Sequence, residues 1–285
     1  MPGCCWIVGK RDRPSLPRSH SDIILDRVLA VDMGSALVAQ LTDTHLFAES
    51  DRQMKGVTTA HTFEAVVRQV AQLVPQPDLL LLTGDLTQDE TVESYQRLQS
   101  ALVPLGIPTH WIPGNHDIPE LMASTLVQAP FSAAKQVEMA GWSIVMLNSA
   151  VPGQTAGRLS AVALGELEHR LSAVSDRPTL VVLHHPPLRI ESEWMDEIGL
   201  ENSDEFLAVI DRHAHVKLVV FGHIHQAFST ERNGVRYVGT PSTCVQFKPK
   251  SRDLEIDEKL PGFRLISLGD DGQFETQVHR VVSLR

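Results

Sequence analysis

Five short polar clusters carry the residues that could do chemistry: Asp43-Thr44-His45, Gly84-Asp85, Gly114-Asn115-His116-Asp117, His184-His185 and Gly222-His223-Ile224-His225. Carboxylate, imidazole and amide oxygen make a mixed, fairly hard ligand set suited to Mn, Fe or Zn, and no cysteine falls in any of the clusters. Two divalent ions about 3.5 to 4 Å apart can clamp a phosphoryl group and hold a hydroxide between them, with a carboxylate bridging the pair. One of the two aspartates, Asp43 or Asp85, should be that bridge. Taken singly, each cluster has an ordinary alternative. A lone histidine after a strand often caps or sits on the surface, Gly-Asp is a common turn, and Asp43-Thr44-His45 could satisfy its own backbone. Five separate loops choosing ligand residue types by accident is the far poorer account. Glycines beside the ligands would let the backbone turn sharply, and Pro186-Pro187 would stiffen the loop after His184-His185.

Each cluster follows a short apolar run. The runs Ala36 to Leu41, Leu79 to Thr83, Thr109 to Ile112, Ile144 to Asn148, Thr179 to Leu183 and Val216 to Phe221 read as strands. Between them, Phe63 to Val74 repeats apolar residues at the spacing of an amphipathic helix, and Tyr95 to Leu105, Ala161 to Val174 and Glu205 to Arg212 behave alike. Alternating strands and helices predict a layered α/β fold, in which ligands bind outside the carboxyl ends of the strands. The five loops are therefore expected to converge. Asn233-Gly234 and Asp271-Gly272, each between strand-like runs, predict antiparallel hairpins in the C-terminal third.

The chain has 285 residues and a formal charge of −10, which argues against a nucleic-acid polymer as partner because such proteins present a concentrated basic face. Its apolar runs are strand-sized, well short of the roughly 18 residues of a membrane helix. Three cysteines, Cys4, Cys5 and Cys244, form neither a disulfide framework nor a metal knuckle, which suits a reducing cytoplasm, and Cys244 is expected to pack rather than react. Residues 1–35 lack a clear period and read as a loosely structured extension, with Met33 as an alternative start; residues 36–285 read as one catalytic domain.

In order and in kind, the clusters resemble the motif set of the calcineurin-like metallophosphoesterases: D-x-H, G-D, G-N-H-D, H and G-H-x-H. The resemblance implies a four-layer α/β/β/α sandwich with two divalent ions at the strand ends. It makes Asp43, His45 and His225 the ligands of one ion, Asp85 the bridge, and Asn115, His184 and His223 the ligands of the other. His116 would be the acid that meets the leaving oxygen, and Asp117 the residue that orients it. Thr42-Asp43-Thr44-His45-Leu46-Phe47, Gly84-Asp85-Leu86-Thr87-Gln88-Asp89, the stretch from Thr240 to Pro249 and Pro261-Gly262-Phe263-Arg264 resemble, more narrowly, the bacterial class III cyclic AMP phosphodiesterases. That resemblance implies a small cyclic nucleotide as substrate, contacted by His45, Asp85, Asn115, His116, His185 and His225, in a monomer or homodimer. Asn202 is a further candidate, as are the polar residues Ser242, Thr243 and Gln246, which could equally seal the edge of the sandwich. Leu147-Asn148-Ser149 departs from the L-D-S frequent in that subgroup, away from the ligands. The alternatives are another phosphodiester, such as a 2′,3′-cyclic nucleotide or a nucleotide diphosphate compound, and a non-catalytic metal-binding scaffold.

Overall fold

The computed structural model describes residues 35–282. The expected extension over residues 1–35 therefore falls, Ser35 apart, outside the described residues. Strands β1 (Ala36–Leu41), β2 (Leu79–Thr83), β3 (Thr109–Ile112) and β4 (Phe131–Ser132) run parallel to one another. Next come β5 (Gln136–Met139), β6 (Trp142–Met146), β7 (Thr179–Val182), β8 (Val216–Phe221), β9 (Phe228–Arg232), β10 (Val235–Gly239), β11 (Gly262–Leu268) and β12 (Phe274–Arg280). They assemble into two six-stranded sheets, ordered β12-β11-β1-β2-β3-β4 and β9-β10-β8-β7-β6-β5. In the second sheet β10, β8, β7 and β6 are parallel. Antiparallel pairs close the edges: β5 on β6, β9 on β10, and β11 between β1 and β12. Both hairpins predicted from Asn233-Gly234 and Asp271-Gly272 are present in the second and first sheets respectively.

The strand sequences explain the layering. In β1 and β2 every residue is buried, as expected of parallel strands covered on both faces. Alternation sends Val38, Leu79, Leu81, Ile112, Ile266 and Leu268 into a core shared with Trp142, Ile144, Met146, Leu180, Val182, Leu218 and Val220 of the other sheet. The opposite residues of the second sheet, including Val145, Val181, Val219 and Phe221, pack with Leu167, Leu171, Phe206 and Ile210 of two covering helices. Helices α1 (Thr59–Ala71) and α2 (Val92–Leu102) carry their buried stripes on Phe63, Val66 and Val70 and on Tyr95, Leu98 and Leu102. Chain order then adds the short α3 (Pro119–Thr125), α4 (Ala161–Ala173), the single-turn α5 (Glu193–Asp196) and α6 (Ser203–Ile210).

Boundaries differ from expectation where capping or proline chemistry intervenes. Helix α1 stops at Ala71 instead of reaching Val74, because Val74 precedes Pro75 and the residue before proline is pushed out of the helical region; Val74 stands 84% exposed. Helix α2 starts at Val92, ahead of the expected Tyr95, because Thr91 Oγ1 accepts from Ser94 N and caps it. Strand β6 begins at Trp142 rather than Ile144, since its hairpin with β5 extends pairing back to Met139↔Trp142. It ends before Asn148, whose Oδ1 accepts from Ala150 N and turns the chain.

Candidate metal centre

Five parallel strands deliver the five clusters at their carboxyl ends: β1 leads to Asp43 and His45, β2 to Asp85, β3 to Asn115, His116 and Asp117, β7 to His184 and His185, and β8 to His223 and His225. Loop backbones are cross-linked where they meet. Asp43 N donates to Gly84 O at 2.9 Å, His45 N to Asp85 O at 3.0 Å, and Gly222 N to His184 O at 3.1 Å. Asp43, His45, Asp85, His223 and His225 all adopt positive φ, from 45° to 68°. That conformation costs on the order of 1 kcal/mol for each residue other than glycine, and such strain collects at functional sites where the surroundings over-determine it.

Overlapping ligand sets emerge at two ends of one cluster, around His45 and His225 and around His184 and His223. Asp43, His45 and His225 offer ligand atoms within 4.8 Å of one another, as do Asp43, Asp85 and His184, and as do His184, His185 and His223. Asp85 lies between them, with Oδ2 3.7 Å from His45 Nε2 and Oδ1 3.4 Å from His184 Nε2. His225 Nε2 is 3.3 Å from Asp43 Oδ1 and 3.0 Å from His45 Nε2, and His223 Nδ1 is 3.2 Å from His184 Nε2. His184 Nδ1 donates to Thr83 O at 2.7 Å and His225 Nδ1 to Val245 O at 2.8 Å. A carbonyl on one imidazole nitrogen fixes the tautomer and leaves the other as a bare lone pair, the usual arrangement behind a metal-ligating histidine.

The donor set fits a pair of divalent cations on this structure's own terms. His45 Nδ1, His223 Nε2 and Asn115 Oδ1 are buried without a hydrogen-bond partner, and buried polar atoms are seldom left so. The ring nitrogens and carboxylates crowd together, and among the described residues neither Asp43 nor Asp85 is paired with a lysine or arginine. Burial alone would raise the Asp43 carboxyl, but His225 and His184 outweigh it and hold it below the usual range. Asp85 is held well below that range by His184, His45 and His116 against the same burial. Burial pushes His45 down to about 3 and drives His223 well below an ordinary imidazole. His184 is raised to about 9 despite its burial, because Asp85 and then Asp43 favour its charged form. Ligation needs the neutral ring, so uptake of a cation at neutral pH displaces that proton.

Several sequence-based roles change. Asp117 was expected to orient His116, yet its carboxylate accepts from Leu86 N, Thr87 N and Gly114 N at 2.9 to 3.3 Å and from Tyr95 Oη at 3.0 Å. It ties the Gly84 loop to the Gly114 loop instead. Burial and the Asp85 charge push it up to about 7, against those four donors. His185 is fully buried, with Nδ1 2.8 Å from Ser149 Oγ and Nε2 3.1 Å from Thr155 O, so both nitrogens are spoken for and it backs His184 and His223 rather than facing substrate. Asn202 exchanges hydrogen bonds with Leu159 N and O and is a loop tie as well. In the Thr240 to Pro249 loop, Ser242 donates to Asp43 O and Gln246 is bound to Ser242 O and Arg280, which is the sealing role. Cys244 packs as expected, its thiol pushed up to about 12 by burial.

Three features had no sequence signal. Phe247 stacks on His225, with ring centroids 4.2 Å apart at 11°. Beneath the site, Gln40 Nε2 donates to Thr83 Oγ1, Thr240 Oγ1 donates to Gln40 Oε1, and buried Arg264 donates to Thr240 Oγ1 and Gly239 O, joining the two sheets where the ligand loops leave them. The glycines also act differently from expectation. Only Gly84 uses a positive φ, at 93°; Gly114 and Gly222 leave space, since a Cβ on Gly114 would collide with Asp85 Oδ1 and lie 2.8 Å from His184 Cε1. Gly114→Ala should therefore weaken metal affinity roughly ten- to a hundred-fold, the effect typical of disturbing groups that support a ligand, as read by calorimetric titration.

A strand-end cluster of this composition between two mixed sheets defines a metal-dependent phosphoesterase, and the chain belongs to the calcineurin-like phosphoesterase family, which it matches over residues 36–227. Among curated relatives it is 46% identical over 244 residues to the 3′,5′-cyclic-nucleotide phosphodiesterase of Nostoc, covering 86% of this chain and 92% of that one. It is 42% identical over 250 residues to the 3′,5′-cyclic adenosine monophosphate phosphodiesterase CpdA of Vibrio vulnificus, covering 87% and 91%. Solved structures share the fold: a dimetal phosphatase from Danio rerio (TM-score 0.61, 14% identity, 87% of this chain and 99% of that one) and a purple acid phosphatase from yellow lupin (0.65, 13%, 86% and 51%). Among the described residues no helix is long and apolar enough to cross a membrane.

Proposed function

We propose that the chain hydrolyses 3′,5′-cyclic AMP to 5′-AMP in the cytoplasm, using two divalent ions drawn from Mn, Fe and Zn. The observation that carries this reading is the pair of ligand groups joined at Asp85, in a chain whose relatives named for that activity align over nearly all of both sequences. Asp43, His45 and His225 would hold one ion and Asn115, His184 and His223 the other, with Asp85 shared. Bound there, the ions would polarise the phosphoryl group and activate a water molecule near neutral pH. They outweigh the two carboxylates Asp43 and Asp85, so the pocket attracts a monoanionic diester although the whole chain carries a charge of −10.

This chain's own residues supply the rest. Water adds to phosphorus, the bond to the 3′ oxygen breaks, and His116 meets that oxygen with a proton. The positive-φ backbone at five ligands and the Phe247 ring against His225 hold the site in one geometry, so little has to move during turnover.

Purified protein should convert 3′,5′-cyclic AMP to 5′-AMP with added Mn and lose that activity to a chelator, followed by chromatography of the nucleotide. Cleavage of an activated aryl diester without cyclic AMP turnover would leave the metal centre standing and overturn the substrate. Inactivity on both with metal bound would favour a scaffold.

A further inference from the structure

The residue that holds His116 is on the neighbouring loop. Gln88 lies three positions after Asp85, and its Nε2 is 3.3 Å from His116 Nδ1. Its backbone is fixed: Gln88 N donates to Leu46 O at 2.8 Å, and the preceding Thr87 Oγ1 donates to His116 O at 3.2 Å. On the other side Asp89 Oδ2 accepts from Ala48 N at 2.7 Å, so the side chain between these ties has a defined origin. Gln88 Oε1 is buried and has no partner, which leaves His116 as the amide's hydrogen-bonding contact.

An amide nitrogen only donates, so Nδ1 of His116 accepts and the neutral ring carries its proton on Nε2. One ring nitrogen of His116 also lies within 4.8 Å of ligand atoms of His45 and Asp85. With Nδ1 against Gln88, Nε2 is the nitrogen left for the leaving oxygen; acting as an acid, the cationic ring gives up its Nε2 proton and returns to the neutral form, and the Gln88 amide, turned half a rotation, offers its unpartnered Oε1 to Nδ1–H while the ring is charged.

We propose that Gln88 is the positioning residue for His116, setting its ring orientation, a role that Asp117 does not fill because its carboxylate serves the loop backbones. The inference rests on His116 acting as the acid, as proposed above. It does not depend on which diester is the substrate.

The test compares wild type, Gln88→Leu, Gln88→Glu and His116→Ala on a series of aryl phosphodiesters whose leaving groups run from p-nitrophenol to phenol, and on cyclic AMP. Help from an acid matters most for a poor leaving group. Gln88→Leu should lower kcat for the phenol ester about 10- to 100-fold more than for the p-nitrophenol ester, with KM within about threefold and metal content by mass spectrometry at the wild-type level. Combined with His116→Ala, it should cause no further loss. Gln88→Glu, which keeps the length and offers an acceptor to Nδ1–H of the cationic ring, should retain most of the contribution that Gln88→Leu loses. Equal losses across the series, additive losses with His116→Ala, or depleted metal would each overturn the proposal. Failure on cyclic AMP alone, with the aryl pattern intact, would instead overturn the substrate assignment.

Discussion

Asp85→Asn should leave a folded protein that no longer retains a full complement of metal and turns over on the order of 10³-fold more slowly. The argument starts from the position of the side chain. One carboxylate oxygen faces His45 and the other faces His184, so this residue touches both ligand groups, and Oδ1 also accepts from His116 N at 2.9 Å. The amide keeps the shape but loses the charge and turns one oxygen into a donor pointed at an imidazole lone pair. Loss of this negative charge would weaken the hold on the cations that neutralise the reacting phosphoryl group, and about 4 kcal/mol corresponds to the stated factor. The fold should survive because asparagine tolerates the left-handed backbone that Asp85 adopts, at φ 51°. Mass spectrometry of desalted protein, with circular dichroism as the folding control, reads both halves of the expectation. Full metal content with intact turnover would remove Asp85 from the centre.

How much of this site was written in the sequence depends on which physical property is asked for. The strands were legible because buried parallel strands need continuous apolar runs, and Leu79–Thr83 or Val216–Phe221 can be read in no other way at that length. Convergence of the clusters followed from strand ends alone. Residue type identifies a ligand, since imidazole and carboxylate are what a hard cation requires. Orientation is another matter. Asp117 and Gln88 are both polar residues beside a ligand, and only their distances in space show that the first ties two loops by their N–H groups while the second faces the His116 ring. His185 has the same chemistry as His184, but its two nitrogens already have partners in Ser149 and Thr155, more than 25 residues upstream. The left-handed backbone at Asp43, His45 and His225 leaves no trace in composition, because it is imposed by the loops against which these residues pack rather than by their own preference. For the same reason Gly114 and Gly222 read as turn residues when their function is to leave room.

His116→Ala provides the second large effect, and its size should depend on the ester. The ring sits at the edge of the cluster, 5.2 Å from His45 between centroids, and is half-buried where the ligand histidines are fully enclosed. It is therefore placed to meet substrate rather than to complete a ligand set, although His45, Asp85 and His116 also lie close enough to share a cation. These two roles predict different outcomes. As an acid, His116 contributes about 10² to 10⁴-fold for a ribose oxygen that must take a proton as it leaves, and far less for p-nitrophenolate, which departs as an anion. Metal content and affinity would stay at the wild-type level. As a ligand, its removal would lower metal content and depress both reactions alike. Turnover of cyclic AMP and of bis(p-nitrophenyl) phosphate, measured on the same metal-analysed sample, separates the two, and the expected result is a ratio between the substrates that falls at least tenfold with metal unchanged. Because Asn115, next in sequence, buries an Oδ1 without a hydrogen-bond partner and is proposed above to hold a cation, Asn115→Ala should show the converse pattern, losing metal and both activities together.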